Sequence, residues 1–204
     1  MSVKKDIFQL IGEYLMGALH VQDTDHPNGI IPADAGLPNL CWFDKQMGQF
    51  SNAQTSYAMP LPTILMEWQP VQWQTIGKNQ QKGTGSIRFY IYFENYADAF
   101  NGSINQNLAL QFYEFTEWVH QALQGYFIAE KLAPLQRVSD NEDSAEDMII
   151  TSTVDYSTII TDLSTEEAKN FVMTDPAVTV VKVDVNNRPP NPTFKNGFVI
   201  PGQA

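Results

Sequence analysis

The order of three patterned segments constrains the fold of this chain most: Ser86 to Glu94, Ile104 to Leu123, and Met148 to Thr161. In the first, Ile87, Phe89, Ile91 and Phe93 alternate with Arg88, Tyr90, Tyr92 and Glu94, the period of a strand with one buried face. In the second, Ile104, Leu108, Phe112, Phe115, Val119 and Ala122 recur every three or four residues and predict one apolar stripe along a helix. The third returns to alternation. Strand, helix and strand with almost no polar residue of catalytic type on a buried face predict a scaffold rather than an active site.

The flanking sequence extends this frame. Residues 3–20 read as an opening helix with Ile7, Leu10, Ile11, Tyr14 and Ala18 on one face, broadened by Phe8, Leu15 and Leu19. Residues 21–61 lose periodicity, and Pro27-Asn28-Gly29, Pro32, Gly36, Pro38, Gly48 and Pro60 fall at turn positions. So long an aperiodic stretch predicts an irregular insertion that serves an interface, tethered at its middle by Trp42 and Phe43. Leu61 to Trp68 reads as extended, and the polar, glycine-rich run 77–85 as a hairpin tip. Ser103 and Gln106 form a capping-box pattern ahead of the central helix, which Gly125 ends.

Leu135 to Val138 and Met148 to Thr161 predict a second hairpin, with Asp140, Glu142, Asp143, Glu146 and Asp147 in its acidic turn. Ser164 and Glu167 repeat the capping pattern for a short helix near 165–172, and Val178 to Val185 is β-prone. Arg188-Pro189-Pro190-Asn191-Pro192 can join neither a helix nor a central strand and should run extended. The expected fold is α+β: a mostly antiparallel sheet of four to five strands, packed by the N-terminal helix and the central amphipathic helix. Residues 1–175 form one domain with the insertion 21–61, and 176–204 form a β-prone segment and a proline-rich C-terminal arm.

With 43% hydrophobic and 12% aromatic residues among 204, the chain can bury a substantial core. Its net charge of −11 opposes binding to phosphate backbones, so no direct nucleic-acid contact is expected. Apolar runs fall far short of the roughly 20 residues of a membrane helix. Asp6, Gln9, Gly12 and Glu13 interrupt the apolar core a signal peptide would need after Lys4 and Lys5. A lone cysteine, Cys41, fits a reducing compartment.

Candidate chemistry is sparse. The acidic run 140–147 lacks the central glycine of a calcium loop. His20, His26 and His120 have no metal-ligand spacing. Gly83-Thr84-Gly85 lacks the lysine ending of a phosphate loop, and Cys41-Trp42 has no nucleophile elbow. These patterns predict no catalytic set, no metal and no cofactor. Tyr90 and Tyr92, with Trp68 and Trp73 near them in sequence, admit two readings: interface anchors, or side chains covered by the first helix.

The order of opening helix, Pro-Leu-Pro-Thr-Ile-Leu-Met-Glu-Trp strand (60–68), glycine-bearing tip (77–85), Ile-Arg-Phe-Tyr-Ile-Tyr-Phe strand (87–93), amphipathic helix (104–124), and Leu-Gln-Arg-Val strand (135–138) leading to a long strand with Val-Asp-Tyr (154–156) resembles the tail-terminator and tail-completion proteins of tailed phages. The resemblance spans roughly residues 3–162, and the 21–61 insertion and the proline-rich tail depart from it. It implies a non-enzymatic virion subunit, assembled in the host cytoplasm into a ring, commonly a hexamer. Such a ring caps the tail tube and meets head-completion proteins. On this reading Lys78, Asn79, Gln80, Gln81 and Lys82 in the tip, and Phe194 and Phe198 in the arm, form the subunit interface. The alternatives are another neck or tail subunit, such as a head-completion or tail-tube protein, and an enzyme or ligand-binding domain assembled from distant residues such as Asp155, Glu67 and His120.

Overall fold

A computed structural model of the chain describes residues 2–49, 59–77, 80–94, 100–144 and 149–164. The chain divides into two units, 1–166 and 167–204, and the described residues belong to the first. The expected helix near 165–172, the β-prone run 178–185 and the arm with Phe194 and Phe198 lie outside them, as do Lys78 and Asn79.

The fold is α+β. Helix α1 (Val3–Ala18) is followed by strands β1 (Trp42–Lys45), β2 (Thr63–Trp68), β3 (Gln72–Thr75) and β4 (Gln81–Glu94). Helix α2 (Gln106–Leu123) then leads to β5 (Gln136–Ser144) and β6 (Ile149–Asp162). One six-stranded sheet has the order β1-β2-β4-β6-β5, with β3 also paired to β4. Every pairing is antiparallel except that of β1 with β2.

The sheet has more strands than the expected four to five, for two physical reasons. Pro70, which has no N–H to give a ladder, separates β2 from β3, so two short strands lie in succession along one side of β4. The second extra strand, β1, comes from the stretch expected to be irregular. Ile31, Leu37 and Leu40 of that stretch are buried, so it contributes to the core rather than standing apart. Phe43 packs on the core, whereas Trp42 is 43% exposed and does not tether it.

The alternation read from β4 holds in three dimensions. Ile87, Phe89, Ile91 and Phe93 are buried, and their register partners Trp68, Met66, Ile64, Tyr156 and Val154 share that face. Both helices cover it. From α1 come Ile7, Ile11 and Leu15, and from α2 Phe112, Phe115, Val119 and Ala122. Each such aliphatic or aromatic side chain contributes roughly 1.5–3 kcal/mol when taken out of water. The Tyr14 hydroxyl donates to the Ala122 carbonyl at 3.0 Å and joins one helix to the other.

At several points the fold corrects the sequence pattern. Ile104 precedes α2 and is fully exposed, and Leu108 in its first turn is more than half exposed, because Ala109 and Phe112 take the first buried positions. Gln106 is the first residue of α2 instead of its third, so the capping box does not form: Asn105 is the N-cap, and the Ser103 hydroxyl accepts the Asn105 N–H at 3.1 Å. The acidic residues Asp140, Glu142 and Asp143 lie within β5 rather than in a turn. The tip is shorter than 77–85, since Gln81 to Gly85 belong to β4, where Gln81 to Thr84 pair with both β3 and β6 and Gly85 pairs with β6.

Candidate functional site

The two sheet faces differ in chemistry. Opposite the helices, a row of polar side chains crosses four strands. The Tyr90 hydroxyl donates to Glu67 Oε2 at 2.7 Å, and Arg88 grips Asp155 with two hydrogen bonds of 2.7 and 2.9 Å. Ser139 Oγ adds a third hydrogen bond to Asp155, at 3.0 Å. These bonds, the Arg88 guanidinium first, hold the Asp155 carboxyl below its ordinary range. Desolvation, then the neighbouring Glu67 carboxylate, raises the Tyr90 phenol. With the charges paired across strands, the row reads as cross-strand stabilisation.

This arrangement answers the question left open for the aromatics. Helix α1 lies on the other face, so it covers neither Tyr90 nor Tyr92. Tyr92 is buried and its hydroxyl accepts from Gln46 Nε2 at 3.4 Å, while Tyr90 is half-buried in its bond to Glu67. Trp68 and Trp73 share the helix face. The Lys4 ammonium sits 5.3 Å from the Trp68 ring centroid. Trp73 lies over Gly83, where a Cβ would come within 2.9 Å of its ring.

On the helix face, a groove of about 370 Å³ opens between α2 and β5. Ile91, Phe112, Val119, Val154 and Tyr156 form its floor. Its rim carries Glu117 and His120 from α2, with Arg137, Asp140 and Glu142 from β5. A β-bulge at Val138 produces this rim: Arg137 pairs with Tyr156 but Ser139 with Asp155, and the extra residue brings Arg137 onto the same face as Asp140 and Glu142.

Within the groove, His120 Nδ1 lies 3.0 Å from the hydroxyl of fully buried Tyr156. Desolvation, followed by the nearby Arg137 charge, lowers the His120 pKa, and burial raises the Tyr156 phenol well above its usual value. The Tyr113 hydroxyl donates to Glu142 at 3.2 Å, and Arg137 approaches Asp140 at 3.5 Å. An apolar floor with a net negative rim can seat an apolar side chain flanked by positive charge.

Of the residues singled out in sequence, His120, Asp140 and Glu142 line this groove, whereas the tip residues and the pair Glu67 and Asp155 do not. Gln81 and Lys82 stand in β4 at the far end of the sheet, paired with Asp162 and Thr161. Asp155, Glu67 and His120 do not converge: the two carboxylates project from one sheet face, and His120 reaches into the groove on the other. The groove residues Arg137, Asp140 and Glu142 carried a weak sequence signal, because the bulge that aligns them has no motif of its own.

Among the described residues, no group of three His, Cys, Asp or Glu side chains could hold a metal ion. Among the described residues, no helix is long and apolar enough to cross a membrane. No family model matches the chain, and no curated protein matches it. Among solved structures it is similar to a chain of a virion of native gene transfer agent (GTA) particle, at 10% identity over 60% of this chain and 79% of that one, with a TM-score of 0.35.

Proposed function

We propose that this chain is a structural virion subunit of the tail-terminator type. It forms a closed ring, commonly of six copies, at the end of a phage tail tube, assembled in the host cytoplasm. There it contacts tail-tube protein on one side and head-completion protein on the other. One observation supports this reading above others: among the described residues, both ends of the sheet are edge strands, β1 pairing with β2 alone and β5 with β6 alone.

Edges on opposite sides of one sheet that no other described strand pairs suit heterologous, head-to-tail contact, which closes into a ring when the rotation between copies allows it. The element order behind the resemblance is kept, with helix, strands, helix and terminal hairpin in sequence. An enzyme is disfavoured by the separation of Glu67 and Asp155 from His120 across the sheet.

Electron microscopy and sedimentation of the purified full chain test the proposal. Closed rings that bind only the ends of purified tail tubes are expected. Open tubes formed by this chain alone would make it a tube subunit, and a monomer at high concentration that ignores tube ends would defeat the reading.

A further inference from the structure

We propose that the groove between α2 and β5 receives the C-terminal arm of a second copy, with Phe194 on its apolar floor and Arg188 and Lys195 against its acidic rim. This inference rests on the ring reading above and assigns the contact that locks one subunit to the next.

Charge argues for that occupant. The chain as a whole carries −11, yet residues 186–204 contain Arg188 and Lys195 and no Asp or Glu. Phe194 stands directly beside Lys195, and Phe198, Val199 and Ile200 follow. The groove offers the complement: a floor of Ile91, Phe112, Val154 and Tyr156, with Glu117, Asp140 and Glu142 around it and Arg137 as the one fixed positive charge. Glu142 is exposed at the mouth, where an incoming cation reaches it without the cost of a fully buried pair. The fixed φ of Pro189, Pro190 and Pro192 lowers the conformational entropy that docking must remove. Complementary charge supplies register, and the aromatic side chain supplies the buried anchor.

Photo-crosslinking in the full-length protein tests the site. A benzophenone amino acid replaces Phe194 in a 15N-labelled population, which is mixed with unlabelled protein before assembly and irradiated. Crosslinks from the labelled arm to unlabelled peptides of 112–120 or 137–142 are expected. Glu142→Lys should reduce them roughly three- to tenfold, and Lys195→Glu in the crosslinking copy should restore them, as reversal of a charged contact predicts. Circular dichroism of Glu142→Lys checks that the fold is kept, and the restoration distinguishes charge pairing from local damage.

Crosslinks confined to one copy, or to another surface, would overturn the inference. If rings still form in that case, the tail-terminator reading survives without it. Absence of rings in unmodified protein would instead count against the ring itself.

Discussion

The ring of Phe43 in β1 lies on Gly12 of α1, where a Cβ would stand 2.7 Å from Cδ1 and 2.8 Å from Cε1. Phe8, one turn earlier, meets the same ring at a centroid distance of 5.2 Å. A glycine that costs an isolated helix about 1 kcal/mol relative to alanine therefore creates the seat by which the 21–61 stretch joins the core. Gly12→Val should destabilise the protein by about 1–3 kcal/mol through overpacking. Phe43→Ala should absorb part of that loss in the double variant. Urea denaturation of the four proteins measures the coupling, and strict additivity would show that the two residues do not press on one another.

Asp155 provides a pH test. Its folded pKa is lowered chiefly by Arg88, so its contribution is present above the unfolded value near 3.9 and drains as pH falls through the folded one. Asp155→Asn should cost about 1–2 kcal/mol at pH 6, discounted because the Arg88 side chain is 35% exposed. The gap between variant and wild type should narrow from pH 4 downward. A gap that is constant from pH 6 to pH 3 would mean that the ion pair is not its source.

His120 makes a second, separate window. Desolvation lowers its folded pKa, so the fold prefers the neutral ring and loses stability as pH drops below about 6.5. His120→Gln removes the titration and should flatten the stability curve between pH 7 and 5. Tyr156→Phe, which deprives the ring of its 3.0 Å partner, should cost roughly 1 kcal/mol at pH 7. Parallel pH curves for wild type and His120→Gln would remove the imidazole from this account.

The hairpin between β3 and β4 separates folding from assembly. Deleting residues 79–82 removes the ladder pairs of Gln81 and Lys82 with both β3 and β6, and should cost about 2 kcal/mol at roughly 0.5–1.5 per hydrogen bond. Lys78→Ser with Asn79→Ser changes no residue of β3 or β4 and should stay within about 0.5 kcal/mol of wild type. On the proposed ring, that pair of substitutions should weaken assembly in sedimentation experiments. Unchanged sedimentation would exclude the tip from the interface.

Sequence alone determined the parts whose pattern is local. Alternation placed Ile87, Phe89, Ile91 and Phe93 on one buried face because side chains of a strand point to opposite faces by turns. Helical spacing likewise placed Phe112, Phe115, Val119 and Ala122, and Gly125, with its φ of 78°, follows the end of α2 as expected. Tertiary structure decided what depends on residues far apart in the chain. Trp42 to Lys45 became a strand because Thr63 to Met66 offered a parallel partner, a pairing with no local signature. The bulge at Val138 turned an acidic run into one rim of a groove by shifting register against β6, and only pairing between strands defines a register.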